Sequence, residues 1–116
     1  MSTEPIVVEQ TVTPTEAALL LSIPPDIECV AGHFPGSPIV PGVVQLEWAI
    51  ESARRLLAVA SDLTRMEALK FQHVMVPGMA VTLTLEWAAA ERKLYFAYQS
   101  ETARFSSGRL SFRSEP

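Results

Sequence analysis

Cysteine is nearly missing from this sequence: Cys29 is the only one in 116 residues. That rules out a disulfide framework and any paired-thiol zinc or redox site, and points to a reduced, cytoplasmic setting. Clusters of lysine and arginine are missing too, and the formal net charge is -4. Electrostatic binding to nucleic acid or to anionic lipid needs a basic face, so neither is expected as a partner. No apolar run approaches the roughly 18 residues of a membrane span, and the opening MSTEPIVVEQ has neither the basic nor the apolar region of a signal peptide. Internal repeats, linkers and low-complexity tracts are lacking, as are the nucleophile-elbow, phosphate-loop and dinucleotide-binding patterns.

What is present is a folded domain's composition, 48% hydrophobic and 19% charged. One domain spanning residues 1–116 is expected, long enough to hide about two thirds of its unfolded surface. Pro5–Val12 carries β-branched residues, and after Thr13-Pro14-Thr15 a second strand-length segment runs from Glu16 to Ile23. Pro24 and Pro25 end it, since proline offers no ladder donor. From Pro41 to about Ser61 the residues favour a helix of about five turns, with proline at the first helical position. It is apolar around most of its circumference, with a narrow polar stripe through Glu47, Glu51, Arg54 and Arg55. A helix of that kind must be wrapped by something.

The rest of the chain can do the wrapping. Val81, Leu83, Leu85 and Trp87 alternate with polar residues, as do Leu94, Phe96 and Tyr98 one segment later, which is the period of half-buried strands. Glu67–Val74 and Arg104–Arg113 fit two more strands, with Pro77-Gly78 and the region Ala90 to Lys93 as turns. The expected architecture is α+β: an antiparallel sheet curled around one long helix.

Chemistry concentrates in GHFPGSPIVPGVVQLE, residues 32–47. His33 taken alone is either a loop histidine capping a backbone group or a base. Glu47 is either part of a solvated helical stripe, spaced four and eight residues from Glu51 and Arg55, or an acid. Three prolines and three glycines between residues 32 and 42 fix an irregular path between them. Pro41-Gly42 places glycine in the first turn of the helix, where unpaired N–H groups point outward and can hold a carbonyl oxygen. A histidine and a carboxylate beside such a carbonyl suit proton transfer.

This stretch, with histidine and glutamate fourteen residues apart, resembles the active-site motif of the FabZ-type 3-hydroxyacyl-acyl carrier protein dehydratases. Leu69-Lys70-Phe71 with Val76-Pro77-Gly78 resembles that family's strand and following turn, and the element order resembles its hot-dog fold. The resemblance implies that His33 removes the proton beside the thioester carbonyl and Glu47 protonates the departing hydroxyl. It also implies that the Gly42 N–H holds the thioester oxygen, that the Ile39 carbonyl orients His33, and that Phe34 and Pro41 border the substrate. No metal and no cofactor is called for. An acyl carrier protein delivers the substrate, and a homodimer or an oligomer of dimers is implied, each site taking its two catalytic residues from opposite subunits. The C-terminal Phe105 to Phe112 looks more like the dehydratases of aryl-polyene and related pigment clusters, the ApeI-like subgroup. Trp48 departs from the small residues of the fatty-acid members; it either shapes the acyl tunnel or packs the core.

Two other function classes stay open at this point, a hot-dog acyl thioesterase and a non-catalytic acyl-binding subunit of a hot-dog heterodimer. His73 is expected as a partly buried structural histidine in a strand. Cys29 and His33, four apart, lack the further ligands that zinc needs.

Overall fold

The computed structural model describes residues 4–26 and 39–113. Strand β1 (Ile6–Val12) turns back into β2 (Glu16–Ser22) through Thr13, whose hydroxyl oxygen accepts the Glu16 N–H at 3.0 Å while its own N–H donates to the Glu16 carbonyl at 2.8 Å. Helix α1 (Gly42–Leu56) follows, and then β3 (Leu63–Phe71), β4 (Ala80–Ala88), β5 (Lys93–Gln99) and β6 (Arg104–Phe112). All strand pairs are antiparallel, in one six-stranded sheet of order β1-β2-β4-β5-β6-β3.

Alternation along the strands selects the face that meets α1. Leu19, Leu83 and Tyr98 lie in register across β2, β4 and β5, as do Leu85 with Phe96 and Trp87 with Leu94, and all of them are buried. A period of two residues puts each such row on one side of the pleat. Against that side α1 sets Leu46, Ala49 and Ala53, the two alanines without any exposure. Side chains this small allow the helix to lie close on the sheet. The opposite stripe of α1 carries Val43, Glu47, Glu51, Arg54 and Arg55, all exposed.

The Pro77-Gly78 turn is where the sequence puts it. Gly78 has a φ of 91°, a left-handed conformation that suits glycine, and its N–H donates to the Ile23 carbonyl at 2.7 Å, tying the turn to the end of β2.

The ends of α1 and of β3 differ from expectation. Helix α1 starts at Gly42 with Pro41 as its N-cap, and it ends at Leu56 rather than near Ser61. The Leu57 and Val59 N–H groups both reach back to the Ala53 carbonyl, at 2.8 and 3.5 Å, and the Arg54 guanidinium donates to the Ser61 carbonyl at 3.2 Å. Ala58, at φ 56°, takes the left-handed position that glycine usually fills, so the punctuation that marks a helix end in sequence is missing. Strand β3 starts at Leu63 and stops at Phe71, against the expected 67–74. It also carries a bulge: the register slips between Glu67 and Lys70, and Ala68 has a φ of 51°. Beyond it the Gln72 and His73 N–H groups share the Phe105 carbonyl, at 2.9 and 3.4 Å. His73 therefore lies outside any strand and is exposed, not partly buried within one.

Candidate active site at the start of the central helix

Pro41 is extended (φ -60°, ψ 150°), and the chain turns from it directly into the helix. Its carbonyl accepts the N–H groups of Val44 and Gln45, at 3.0 and 3.2 Å. The first N–H groups of a helix, here those of Gly42 and Val43, have no partner within it and carry the positive end of its dipole. A Cβ at Gly42 would lie 2.8 Å from Cε1 and 2.9 Å from Cζ of Phe71. With the ring where it stands, only glycine fits at this position; a Cβ would require the half-exposed Phe71 ring to move.

Beside this turn lies a groove of about 330 Å³ whose wall includes Ile39, Gly42, Gln45, Phe71, His73 and Met75. Ile39 and Val40 form one side of it, held by the Val40 N–H donating to the Met75 carbonyl at 2.7 Å. The groove thus brings Ile39 and Gly42 together with Phe71 and His73, while Pro41, the residue before Gly42, is not part of its wall. Glu47 is five residues along α1 from Gly42, about 7.5 Å along the axis, on the exposed stripe. His33, Phe34 and Cys29 lie outside the described residues. Among the described residues, no group of three or more His, Cys, Asp or Glu side chains is placed to hold a metal ion.

Under the groove runs a buried polar network to which the sequence reading assigned no role. Gln45, 3% exposed, donates its side-chain amide to the Val40 carbonyl at 3.1 Å. Its side-chain oxygen accepts the Ser106 hydroxyl at 2.6 Å, and its main-chain carbonyl accepts the Tyr98 hydroxyl at 2.6 Å. Burial pushes the Tyr98 phenol far above its ordinary value, so it remains a donor. The network had a signal in the sequence: a glutamine on the apolar side of the helix, and a serine at an inward position of β6.

Two further features lie away from the groove. Trp48 is 6% exposed, so it packs in the core, and it also lines a second cavity of about 340 Å³ between α1 and β1. On the sheet face turned away from α1, Glu67 accepts the Ser111 hydroxyl at 3.0 Å and pairs with Arg109 at 3.3 Å and Lys93 at 3.6 Å. The Ser111 hydrogen bond foremost, and then the two cations, hold its carboxyl below the ordinary value against the opposing effect of burial.

Among the described residues, a six-stranded antiparallel sheet packed on one helix gives the hot-dog fold. The sequence profile of the ApeI-like family, described as ApeI dehydratase, matches residues 9–109. The chain belongs to that family. It superposes on a chain of the dehydratase heterocomplex ApeI:P from Xenorhabdus doucetiae with a TM-score of 0.87 and 30% identity, over 95% of this chain and 99% of the other. A protein from Erwinia carotovora subsp. atroseptica, whose crystal structure describes it as uncharacterized, gives 0.85 and 31%, over 95% and 96%. The 3-hydroxyacyl-[acyl-carrier-protein] dehydratase FabZ of Chlamydia trachomatis is 35% identical over 72 residues, 54% of this chain and 47% of that protein. The match therefore spans about half the length of such FabZ relatives.

Proposed function

We propose that this chain dehydrates 3-hydroxyacyl groups carried as thioesters on an acyl carrier protein, giving the trans-2-enoyl product in fatty-acid or aryl-polyene-type biosynthesis. The observation that carries the reading is the start of α1: Gly42 opens the helix at the edge of a groove, with Glu47 exposed on the same helix. His33 takes the proton from the carbon beside the thioester carbonyl, and the electron pair moves toward the carbonyl oxygen. The Gly42 N–H holds that oxygen, aided by the positive end of the helix dipole. An aimed donor of this kind contributes about 3 kcal/mol to the rate. The electron pair then returns to form the double bond between the second and third carbons as the C–O bond at the third carbon breaks, and Glu47 gives its proton to the leaving hydroxyl, which departs as water. Each positioned acid or base adds about a hundred- to ten-thousand-fold. The Ile39 carbonyl orients the histidine, and Phe34 and Pro41 border the acyl group.

The working form in this reading is a cytoplasmic homodimer, or an oligomer of dimers, with His33 and Glu47 of each site coming from different subunits. Supporting it, Val43, Met66, Phe71 and Val74 are between 48% and 62% exposed near the start of α1 and along the edge strand β3, large apolar groups that association would cover. A second reading, a subunit that works only beside another hot-dog chain, is favoured by the description of the Xenorhabdus neighbour as a heterocomplex.

The test is turnover of a carrier-bound 3-hydroxyacyl thioester by the purified chain, by His33→Ala and by Glu47→Gln. The wild type is expected to form the enoyl product and each variant to lose that activity with its fold intact. Unchanged turnover in either variant contradicts the assigned roles, and turnover that appears only after a second hot-dog chain is added supports the second reading.

A further inference from the structure

We infer that Gln45 is a positioning residue for this reaction, acting through a buried clamp that sets the direction of the Gly42 N–H; the inference rests on the dehydratase reading. Gln45 contributes to the groove wall but is only 3% exposed, and the polar atoms of its side chain are committed to partners within the protein. Its two polar ends are both engaged: the amide N–H₂ donates to the Val40 carbonyl and the oxygen accepts from Ser106. The Val40 carbonyl can only accept, so it fixes the N–H₂ end of the amide toward itself and leaves the oxygen to accept from the Ser106 hydroxyl. Val40 is in turn held from the other side, through its N–H, by the Met75 carbonyl.

The residues between Val40 and Gln45 are Pro41, Gly42, Val43 and Val44. The clamp therefore closes a short ring of chain around the first helical turn, and that ring contains the N–H proposed to hold the thioester oxygen. Tyr98 anchors the far side of the ring through the Gln45 main-chain carbonyl. Helix starts are commonly fixed by a side-chain cap, but Pro41 supplies none here. The Gln45 side chain instead ties the first turn to the chain before it by donating to the Val40 carbonyl, and it leaves the first helical N–H groups free to face a ligand. An oxyanion donor is useful only while held within a fraction of an ångström of its aim, since a misplacement of about 1 Å costs on the order of a hundredfold in rate.

Gln45→Met keeps the length and bulk of the side chain but removes both polar ends. It is expected to lower the melting temperature and to reduce kcat by about tenfold or more, with KM changed little, because the lost interaction serves the transition state. The decisive comparison is the double variant Gln45→Met with Ser106→Ala. Removing the partner hydroxyl as well relieves an unpaired buried polar group, so the melting temperature recovers toward wild type while kcat stays low. Ser106→Ala alone loosens one end and gives a smaller fall in kcat; it carries the test if Gln45→Met does not fold. A wild-type kcat in these folded variants, or a kcat that recovers together with the melting temperature, overturns the inference and leaves the dehydratase reading standing. Absence of turnover in the wild-type protein overturns the dehydratase reading, and the inference with it.

Discussion

Gly42 shows how one missing side chain shapes the site. Its Cβ position is occupied by the edge of the Phe71 ring, yet that ring is 50% exposed and has room to swing outward. Alanine is also the better helix former, by about 1 kcal/mol. Gly42→Ala is therefore expected to change stability by less than about 1 kcal/mol while putting a methyl group against the groove, so turnover falls roughly tenfold or more. Thermal melts beside steady-state rates check it; a parallel loss of stability and rate contradicts this account of the glycine. At this level the sequence was informative where backbone demands are written as residue type. Pro41-Gly42 declared a helix start, and Pro77-Gly78 a turn. It was silent on Phe71, because that contact joins the end of β3 to the start of α1 through the fold alone.

Strands and helix were legible from periodicity, and their ends were not. The alternations in β4 and β5 and the apolar helix identified these elements at once, because burial on one face leaves a repeating pattern. The end of α1 left no such trace: it depends on Ala58 adopting a left-handed conformation and on Arg54 reaching the Ser61 carbonyl. In β3 the bulge at Ala68 breaks the period of two and hides the strand's first residues. It also leaves Glu67 opposite Arg109 on the face turned away from α1, where the carboxylate links β3 to β6 and β5. The folded state holds the Glu67 carboxyl below its ordinary value of 4.5, whereas the unfolded chain has the ordinary value. Folding then gains stability that is fully present above pH 4.5 and is lost as pH falls through the lowered value. Glu67→Gln is expected to melt below wild type at neutral pH, with the difference closing as the solution is acidified past pH 4.5. Melting curves taken from pH 7 down to pH 3 decide it; a difference independent of pH shows that Glu67 acts by something other than its charge.

In the molecule as a whole, the groove, the exposed Glu47 and the apolar groups along β3 and near the start of α1 make sense together if a second subunit completes each site. That reading has a direct consequence for mixtures. A dimer of one His33→Ala chain and one Glu47→Gln chain holds one site with both residues lost and one with both intact. Random pairing of the two inactive variants is expected to restore about a quarter of wild-type activity, by two-fold symmetry, and no recovery after subunit exchange contradicts sites shared between subunits. The claim on which everything else depends is the dehydration itself, and the mass of the carrier-bound substrate reads it most directly. Incubating the purified protein with carrier-bound 3-hydroxyacyl groups is expected to lower their mass by about 18 Da, the loss of one water. An unchanged mass, or bare carrier with free acid released, contradicts it.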